Sequence, residues 1–259
     1  QKENLLKLVM VQTLPKVRCL LHTGPIKKSG KMTTILYDDR GLKVDVFEKI
    51  LNGYENIACM ISGGVDSSFT LYWLAKCIDE LKLHDTHTIL PMTAMEDLSV
   101  LAYNNIKEVK EIISIVKNHF PKVKILDHYT YDAPTTEEKG VTNNRHRKIL
   151  LDSGSVDHIL SSVCAAPLFE DIYFGDTINV DRNIDNQLKK GSQYIYSSPF
   201  GLVDKKFIAY QYKKYNLLDT IFPLTRSCVA PHKDGSACKI CPWCLEKYWA
   251  YEVYDNCVK

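Results

Sequence analysis

The sequence predicts an α/β fold, with helices on both faces of a parallel sheet and a small four-cysteine element near the C-terminal end. Three observations predict it. Residues 57–61 form an apolar run that ends at a Ser-Gly-Gly turn, apolar and amphipathic segments alternate from residue 56 to residue 163, and four cysteines lie between residues 228 and 244. Strands buried on both faces of a parallel sheet are continuously apolar. Alternation of such strands with helices is typical of this architecture.

The individual elements follow from apolar spacing along the chain. We predict strands at residues 57–61, 86–92, 123–126 and 158–163, and helices at residues 45–51, 69–78, 109–116 and 145–151. The second strand should stop at Pro91. Ligands of open α/β sheets bind beyond the carboxyl ends of the strands. The Ser-Gly-Gly turn is therefore expected at the ligand-binding edge.

Composition sets the class of protein. The chain has 259 residues, 45% of them hydrophobic, and a formal net charge of +2, which suits one substantial core and argues against a strongly basic nucleic-acid protein. We divide it into an N-terminal extension (1–52), an α/β domain (53–225) and a cysteine element with a C-terminal helix packed on it (226–259). The first twelve residues have neither a signal peptide nor a membrane span. Clustered rather than scattered cysteines indicate metal binding in a reducing, cytoplasmic compartment.

The turn after the first apolar strand has the residue types of a phosphate site. It consists of Ser62, Gly63, Gly64, Val65, Asp66, Ser67 and Ser68. Glycines allow a tight turn and close backbone approach, hydroxyls donate hydrogen bonds, and the helix that follows presents free N–H groups. The Asp66 carboxylate would repel a bare phosphate, so it indicates a bridging Mg²⁺ ion. The alternative is an ordinary turn in which Asp66 or Ser67 caps the helix.

This segment resembles the pyrophosphate loop of the N-type ATP pyrophosphatases, which include NAD synthetase, GMP synthetase, asparagine synthetase and tRNA-thiolating enzymes. The resemblance implies an adenine-nucleotide α-hydrolase-like fold. It also implies attack on the α-phosphorus of ATP, release of pyrophosphate and an adenylated intermediate. All seven loop residues would then contact the nucleotide.

The C-terminal cysteines have metal-ligand spacing. Cys228, Cys238, Cys241 and Cys244 are separated by nine, two and two residues. Four thiolates at such spacing favour a structural Zn²⁺ ion. An iron–sulfur cluster is the main alternative, and unligated thiols are the other.

The chain is similar to 7-cyano-7-deazaguanine synthases over roughly residues 56–251, most strongly at the two ends of that range. The similarity rests on Ser198-Pro199-Phe200, Lys205, Thr225-Arg226-Ser227-Cys228 and the cysteine spacing. It implies that Lys205 contacts the nucleotide phosphates; otherwise Lys205 is a solvated lysine at a helix start. The sequence departs from that family at residues 90–97. Residues 143–147 match the corresponding family segment only weakly, and residues 175–182 align poorly with the family's acidic loop.

Two weaker signals complete the candidate site. Arg145, His146, Arg147 and Lys148 form a basic run that suits phosphate, an acidic substrate or nucleic acid, or is simply a solvated helix face. Arg147 and Arg145 are the favoured members, because a guanidinium fork matches carboxylate and phosphate, and we choose Arg147 as catalytic together with Asp66 and Lys205. Cys164 is either a sulfur-carrying nucleophile or a buried small residue.

The resemblances together lead us to expect an ATP-, Mg²⁺- and Zn²⁺-dependent ligase of queuosine biosynthesis. It would adenylate a carboxylate like 7-carboxy-7-deazaguanine and amidate it with ammonia, free or from a donor. The first alternative is a tRNA-thiolating enzyme, and the second is a non-catalytic zinc protein that binds nucleic acid. The expected partner is a small carboxylate or nucleobase-like molecule rather than a membrane or nucleic acid, and a homodimer is one candidate assembly.

Overall fold

A six-stranded parallel sheet is the centre of the computed structural model, which describes residues 34–96, 106–133, 136–167, 172, 196–229 and 236–255. Its strands are β3 (Asn56–Met60), β4 (Thr88–Glu96), β5 (Lys124–Ile125), β6 (Tyr129–Ala133), β7 (His158–Leu160) and β8 (Tyr196–Ser197). The strand order is β5-β4-β3-β7-β8, and β6 pairs with the carboxyl half of β4. β1 (Leu36–Tyr37) and β2 (Lys43–Val44) form a separate antiparallel pair.

Six α-helices are described. They are α1 (Val46–Gly53), α2 (Val65–Glu80), α3 (Ile106–His119), α4 (Thr136–Asp152), α5 (Lys205–Lys214) and α6 (Pro242–Tyr251), and a 3₁₀ turn lies at Phe222–Leu224. Within the described residues, none of the helices combines the length and the apolar character needed to cross a membrane. Residues Met32–Lys259 form one compact unit.

Successive residues of β3 point to opposite faces of the sheet, and both faces are covered. Ile57 and Cys59 are buried in a large core cluster that includes the apolar sides of α1, α2, α3 and α5. Ala58 is buried in a second cluster with Ile159 of β7 and Leu150 of α4. A strand enclosed in this way must be apolar throughout. The predicted α/β fold with helices on both faces is confirmed.

The prediction that Pro91 stops the second strand is wrong, because β4 continues to Glu96. The Thr88 N–H donates to the Glu55 carbonyl just before β3, and the Ile89 carbonyl accepts from the Leu126 N–H beside β5, so alternate residues of β4 face alternate neighbours. Pro91 therefore faces the side of β5 and β6, between the paired segments Thr88–Ile89 and Met92–Glu96. A residue without an N–H group is tolerated at such a break in the ladder.

Polar and short elements were missed or misplaced. The helix predicted at residues 145–151 in fact begins at Thr136. Its start was predicted too late because the first half of the helix is too polar to show apolar periodicity. β6 was not predicted, although Tyr131 and Ala133 on one of its faces are buried. β8 has only two residues, and the strand predicted at residues 158–163 ends at Leu160.

His158 is an acid-sensitive group inside the fold. Its ring stacks on Tyr54 with a centroid distance of 4.3 Å, and its Nε2 atom lies 2.8 Å from the Ser197 hydroxyl. Burial lowers the pKa of His158 from 6.5 to about 4. Between these two values the unfolded chain binds more protons than the folded chain. Stability is therefore full above pH 6.5 and decreases as the pH falls toward 4.

We predict that His158→Gln makes the protein less sensitive to acid. Between pH 7.5 and pH 5, the wild type should lose about 2 kcal/mol of unfolding free energy through this residue, and the variant should be spared that loss. Urea unfolding at the two pH values measures the difference. The exposed His119→Gln is the matched control and should lose as much stability as the wild type. Equal losses in all three proteins would contradict the assignment.

Candidate active site

The predicted phosphate loop, residues 62–68, joins the end of β3 to the first turn of α2. Gly63 has φ +78°, a left-handed conformation that favours glycine. Gly64 caps the helix in an extended conformation. A Cβ atom at Gly64 would lie 3.5 Å from the Ser62 hydroxyl and 3.6 Å from the Arg226 carbonyl oxygen, which is ordinary contact. The loop therefore needs glycine for its backbone shape at position 63, whereas the surrounding protein atoms leave room for a methyl group at position 64.

The serine hydroxyls of the loop hold it in shape. Ser67 and Ser68 donate to the Gly64 carbonyl oxygen at 3.1 and 2.9 Å. The Ser67 hydroxyl also accepts from the Ser62 N–H at 3.1 Å, and the hydroxyls of Ser62 and Ser67 are 3.1 Å apart. The turn is thus held in shape by its own side chains, and such internal organisation favours electrostatic stabilisation.

Three other parts of the chain donate hydrogen bonds to backbone carbonyls in and next to the loop. Tyr212 of α5 donates to the Val65 carbonyl at 2.9 Å, Thr93 of β4 donates to the Ile61 carbonyl at 2.5 Å, and the Arg226 N–H donates to the Gly63 carbonyl at 2.8 Å. Burial, reinforced by the charge of Asp66, raises the pKa of Tyr212 far above its usual value, so its phenol remains a donor. Sequence reasoning did not identify Thr93 or Tyr212.

His128 supports Thr93. Its Nε2 atom lies 2.8 Å from the Thr93 hydroxyl. Because that hydroxyl already donates to Ile61, we assign the proton of this contact to His128. Burial and the charge of Lys110 lower the pKa of His128 to about 4, which keeps the ring neutral at pH 7. Two consecutive hydrogen bonds, from His128 to Thr93 and from Thr93 to Ile61, thus support the start of the loop.

Two of the three predicted catalytic residues lie together beside the loop. The Lys205 Nζ atom is 3.4 Å from Asp66 Oδ2, in the first turn of α2, and 3.1 Å from Glu246 Oε2, on α6. Lys205 is 3% exposed. Its position is set by Asp204, which caps α5 by accepting from the Phe207 N–H at 3.0 Å. Glu246 was not among the residues predicted for the site.

Arg147, the third predicted residue, contacts the strand that leads into the loop. Its Nη2 atom is 2.8 Å from the Met60 sulfur, and its Nη1 atom donates to Asn144 at 3.1 Å. Two other members of the run face elsewhere: Arg145 is exposed, and Lys148 pairs with Asp152 on the same helix at 2.8 Å. Arg147 therefore contacts the end of β3.

An aromatic group lies beyond the end of β3. Tyr131 of β6 stacks on His146 of α4 with a centroid distance of 4.1 Å, and the Tyr129 hydroxyl is 2.7 Å from His146 Nδ1. β6 pairs with Met92–Glu96 of β4, whereas β3 ends opposite Met92, so this group stands past the strand end that begins the loop. The alternating Tyr-Thr-Tyr sequence was the available signal for it.

The four C-terminal cysteines form one site. The Sγ atoms of Cys228, Cys238, Cys241 and Cys244 all lie within 4.8 Å of one another. Backbone N–H groups of Cys238 and Cys241 donate to the sulfurs of Cys228 and Cys238, each at 3.3 Å. A tetrahedral ion with metal–sulfur bonds of about 2.3 Å requires sulfur separations of about 3.8 Å. The arrangement therefore fits a single ion more closely than a four-iron cluster, whose thiolates surround a larger core.

A buried carboxylate fixes the first of these ligands. Asp255 accepts from the N–H groups of Ser227 and Cys228 at 2.6 and 2.7 Å. It also pairs with Lys247 of α6 at 2.5 Å, and the Lys247 ammonium donates to the Thr225 hydroxyl at 3.1 Å. Nothing in the sequence pattern around residue 255 pointed to this role.

The remaining candidates lie elsewhere. Cys164 is fully buried in the main core cluster, an environment that favours a packing role. The acidic segment at residues 175–182 and the first 33 residues of the predicted extension lie outside the described residues.

Comparison with known proteins gives no family assignment. No family model matches the chain, and no curated protein matches it. Among solved structures, it is similar to the U34-tRNA thiolase NcsA from Methanococcus maripaludis, solved with its [4Fe-4S] cluster, at 9% identity and a TM-score of 0.44. That match covers 66% of this chain and 62% of the thiolase chain.

A second similar structure is the NAD+ synthetase from Burkholderia pseudomallei, at 13% identity and a TM-score of 0.35. This match covers 82% of the present chain and 81% of the synthetase chain. Both TM-scores are below 0.5, so neither likeness carries an argument about activity.

Proposed function

We propose that this chain is an Mg²⁺-dependent ATP pyrophosphatase that adenylates a substrate carboxylate and transfers the acyl group to ammonia. The observation that carries the proposal is the pairing of Asp66 with Lys205 beside a glycine turn at a helix N-terminus. Such a turn supplies N–H donors and positive potential for phosphate. The lysine adds a cation, and the carboxylate adds a ligand for a metal ion.

The loop would bind the phosphates of ATP. Gly63 and Gly64 permit close approach of the backbone, and the first turn of α2 presents its N–H groups. Ser62, Ser67 and Ser68 keep the turn in shape through their internal hydrogen bonds. Lys205 would offset the negative charge of the phosphates from the side of α5.

Asp66 is the residue suited to Mg²⁺. Its carboxylate is a hard oxygen ligand, the type that Mg²⁺ prefers, and its side chain is 19% exposed at the loop. When bound, Mg²⁺ would supply neutralisation of the charge that develops on the phosphate oxygens. The loop, Asp66 and Lys205 would orient the triphosphate for attack.

The reaction would proceed in two steps. A substrate carboxylate oxygen attacks the α-phosphorus; an oxygen–phosphorus bond forms, the bond between the α-phosphorus and the bridging oxygen breaks, and pyrophosphate leaves. Ammonia then attacks the acyl carbon, AMP leaves, and the nitrogen loses a proton to give an amide. The Arg147 guanidinium would pair with the substrate carboxylate or a phosphate, for which its planar fork is suited.

We further propose a substrate like 7-carboxy-7-deazaguanine, on the strength of the resemblance over roughly residues 56–251. In the enzymes that this region resembles, a second ATP-dependent activation dehydrates the amide to a nitrile. The test is to incubate the protein with ATP, Mg²⁺ and this acid and to search for the acyl-adenylate by mass spectrometry. Pyrophosphate release without the adenylate would redirect the search to other acids.

Zinc is the metal that we propose for the cysteine site. Four sulfurs within 4.8 Å of one another support one tetrahedral ion. The alternative, tRNA thiolation with an iron–sulfur cluster, has no specific observation in its favour among the described residues. Metal analysis separates the two.

We predict that Asp66→Asn lowers pyrophosphate release by about 100-fold, because the variant loses the charge proposed to hold Mg²⁺. The fold should persist, since Lys205 retains its contact with Glu246. Asp79→Asn, farther along the same helix and paired with His84 at the surface, is the matched control and should behave as wild type. Near-normal turnover in Asp66→Asn would remove the proposed function.

Gly64→Ala should weaken ATP binding by about 10-fold, because a methyl group obstructs close approach of the phosphates. Its melting temperature should change little, because the new Cβ makes only ordinary contacts. Gly140→Ala in α4 is the control and should bind ATP normally, because a Cβ added at this position would meet no atom within 4 Å. Equilibrium titration with ATP and Mg²⁺ decides, and unchanged affinity in Gly64→Ala would count against phosphate binding here.

The purified protein should be colourless and contain about one zinc per chain. Cys241→Ser should lower both zinc content and the unfolding free energy, because metal binding contributes to folding free energy when the unfolded chain has no preformed site. Cys77→Ala, a core cysteine outside the cluster, should keep its zinc. Elemental analysis after anaerobic purification is the measurement. A brown protein containing iron would support the thiolation alternative instead.

A further inference from the structure

Glu246 is a buried acid with no role in the reaction as proposed so far. It lies on α6, two residues after the last cysteine of the metal site, and is 0% exposed. Its Oε2 atom is 3.1 Å from the Lys205 Nζ atom. A carboxylate buried this deeply is costly unless it is paired with a cation. The cysteine element therefore extends a charged group to the lysine beside the phosphate loop.

Lys205 lies between two carboxylates that differ in exposure. The Asp66 side chain, 3.4 Å away, is 19% exposed, whereas the Glu246 side chain is 1% exposed. Part of the Asp66 side chain is therefore open to solvent, whereas the Glu246 side chain is shielded from it. The neighbouring cation on α6, Lys247, is paired with Asp255 at 2.5 Å.

A Mg²⁺ ion at Asp66 would compete with Lys205 for the Asp66 carboxylate. It would take the carboxylate that faces Lys205 and would place a second cation near the buried ammonium group. Without another anion, Lys205 would oppose the ion in two ways, by repulsion and by competition for Asp66. Glu246 would keep the ammonium group compensated with or without the ion.

We propose that Glu246 is a positioning residue that holds Lys205 beside the phosphate loop and allows Asp66 to exchange its lysine partner for Mg²⁺. This inference rests on the proposed function and assigns part of the nucleotide site to the cysteine element. It predicts a defect in Mg²⁺ dependence rather than in metal content at the cysteines.

The first experiment measures ATP binding at equilibrium while Mg²⁺ is titrated. In Glu246→Gln, the half-saturating Mg²⁺ concentration should rise about 10-fold, because Asp66 then remains paired with Lys205. Zinc content should stay at the wild-type level. Glu252→Gln, an exposed acid just after the same helix, is the matched control and should titrate as wild type. An unchanged Mg²⁺ requirement in Glu246→Gln would overturn the inference.

The second experiment tests whether Glu246 acts through Lys205. In a Lys205→Gln background, adding Glu246→Gln should leave the Mg²⁺ requirement unchanged, since the competing cation is gone. A persistent 10-fold shift in the double variant would mean a direct field effect and would overturn a positioning role. If Glu246→Gln does not fold, Glu246→Asp takes its place, with a rise of about 3-fold expected and no rise again overturning the inference. Failure of the wild type to bind ATP with Mg²⁺ would instead remove the proposed function.

Discussion

Burial of the Lys205 ammonium group is the constraint on which the arrangement of the site depends. A charge that is 3% exposed is tolerated only with good ion-pair geometry. Its partners come from distant parts of the chain, Asp66 from the first turn of α2 and Glu246 from α6. The start of α5 is fixed by Asp204, which Arg40 of the β1–β2 connection binds through two contacts of 2.7 and 2.8 Å. Two helices therefore supply carboxylates to the Lys205 ammonium group, and the small hairpin supports the start of the helix that carries it.

A second connection runs through the backbone before the first cysteine. The Arg226 N–H donates to the Gly63 carbonyl of the phosphate loop, and two residues later the Cys228 N–H donates to Asp255. The same four residues, 225–228, thus contact both the loop and the network behind the cysteine site. A short segment that is held at both ends has little freedom to move at one end alone. The proposed nucleotide site and the cysteine site are therefore connected through this backbone segment.

The sequence predicted the parts of this region that depend on local pattern. β3 was identifiable because burial on both faces makes it apolar throughout, and the cysteines because their spacing is short. Glu246 and Tyr212 were not identifiable, since their partners lie 41 and 147 residues away and are brought close only by the topology. The first half of α4 was missed because it is polar. The continuation of β4 was missed because a proline fits inside a strand only where no backbone hydrogen bond is needed, and the break between β5 and β6 that provides this at Pro91 is not visible in the sequence.

Helix α6 carries a cysteine of the metal site and the carboxylate of Glu246 on different faces. Cys244 and Glu246 are two positions apart, and residues at this spacing do not share a face of a helix. One side of α6 can therefore hold the cysteine site while another directs a carboxylate at Lys205. Under the proposed function, a metal ion at the cysteines would contribute to folding and fix the first turn of this helix, and with it the place of Glu246 in the next turn. Such an ion would influence the proposed nucleotide site without touching the nucleotide, because the turn of helix between Cys244 and Glu246 sets where the buried carboxylate lies.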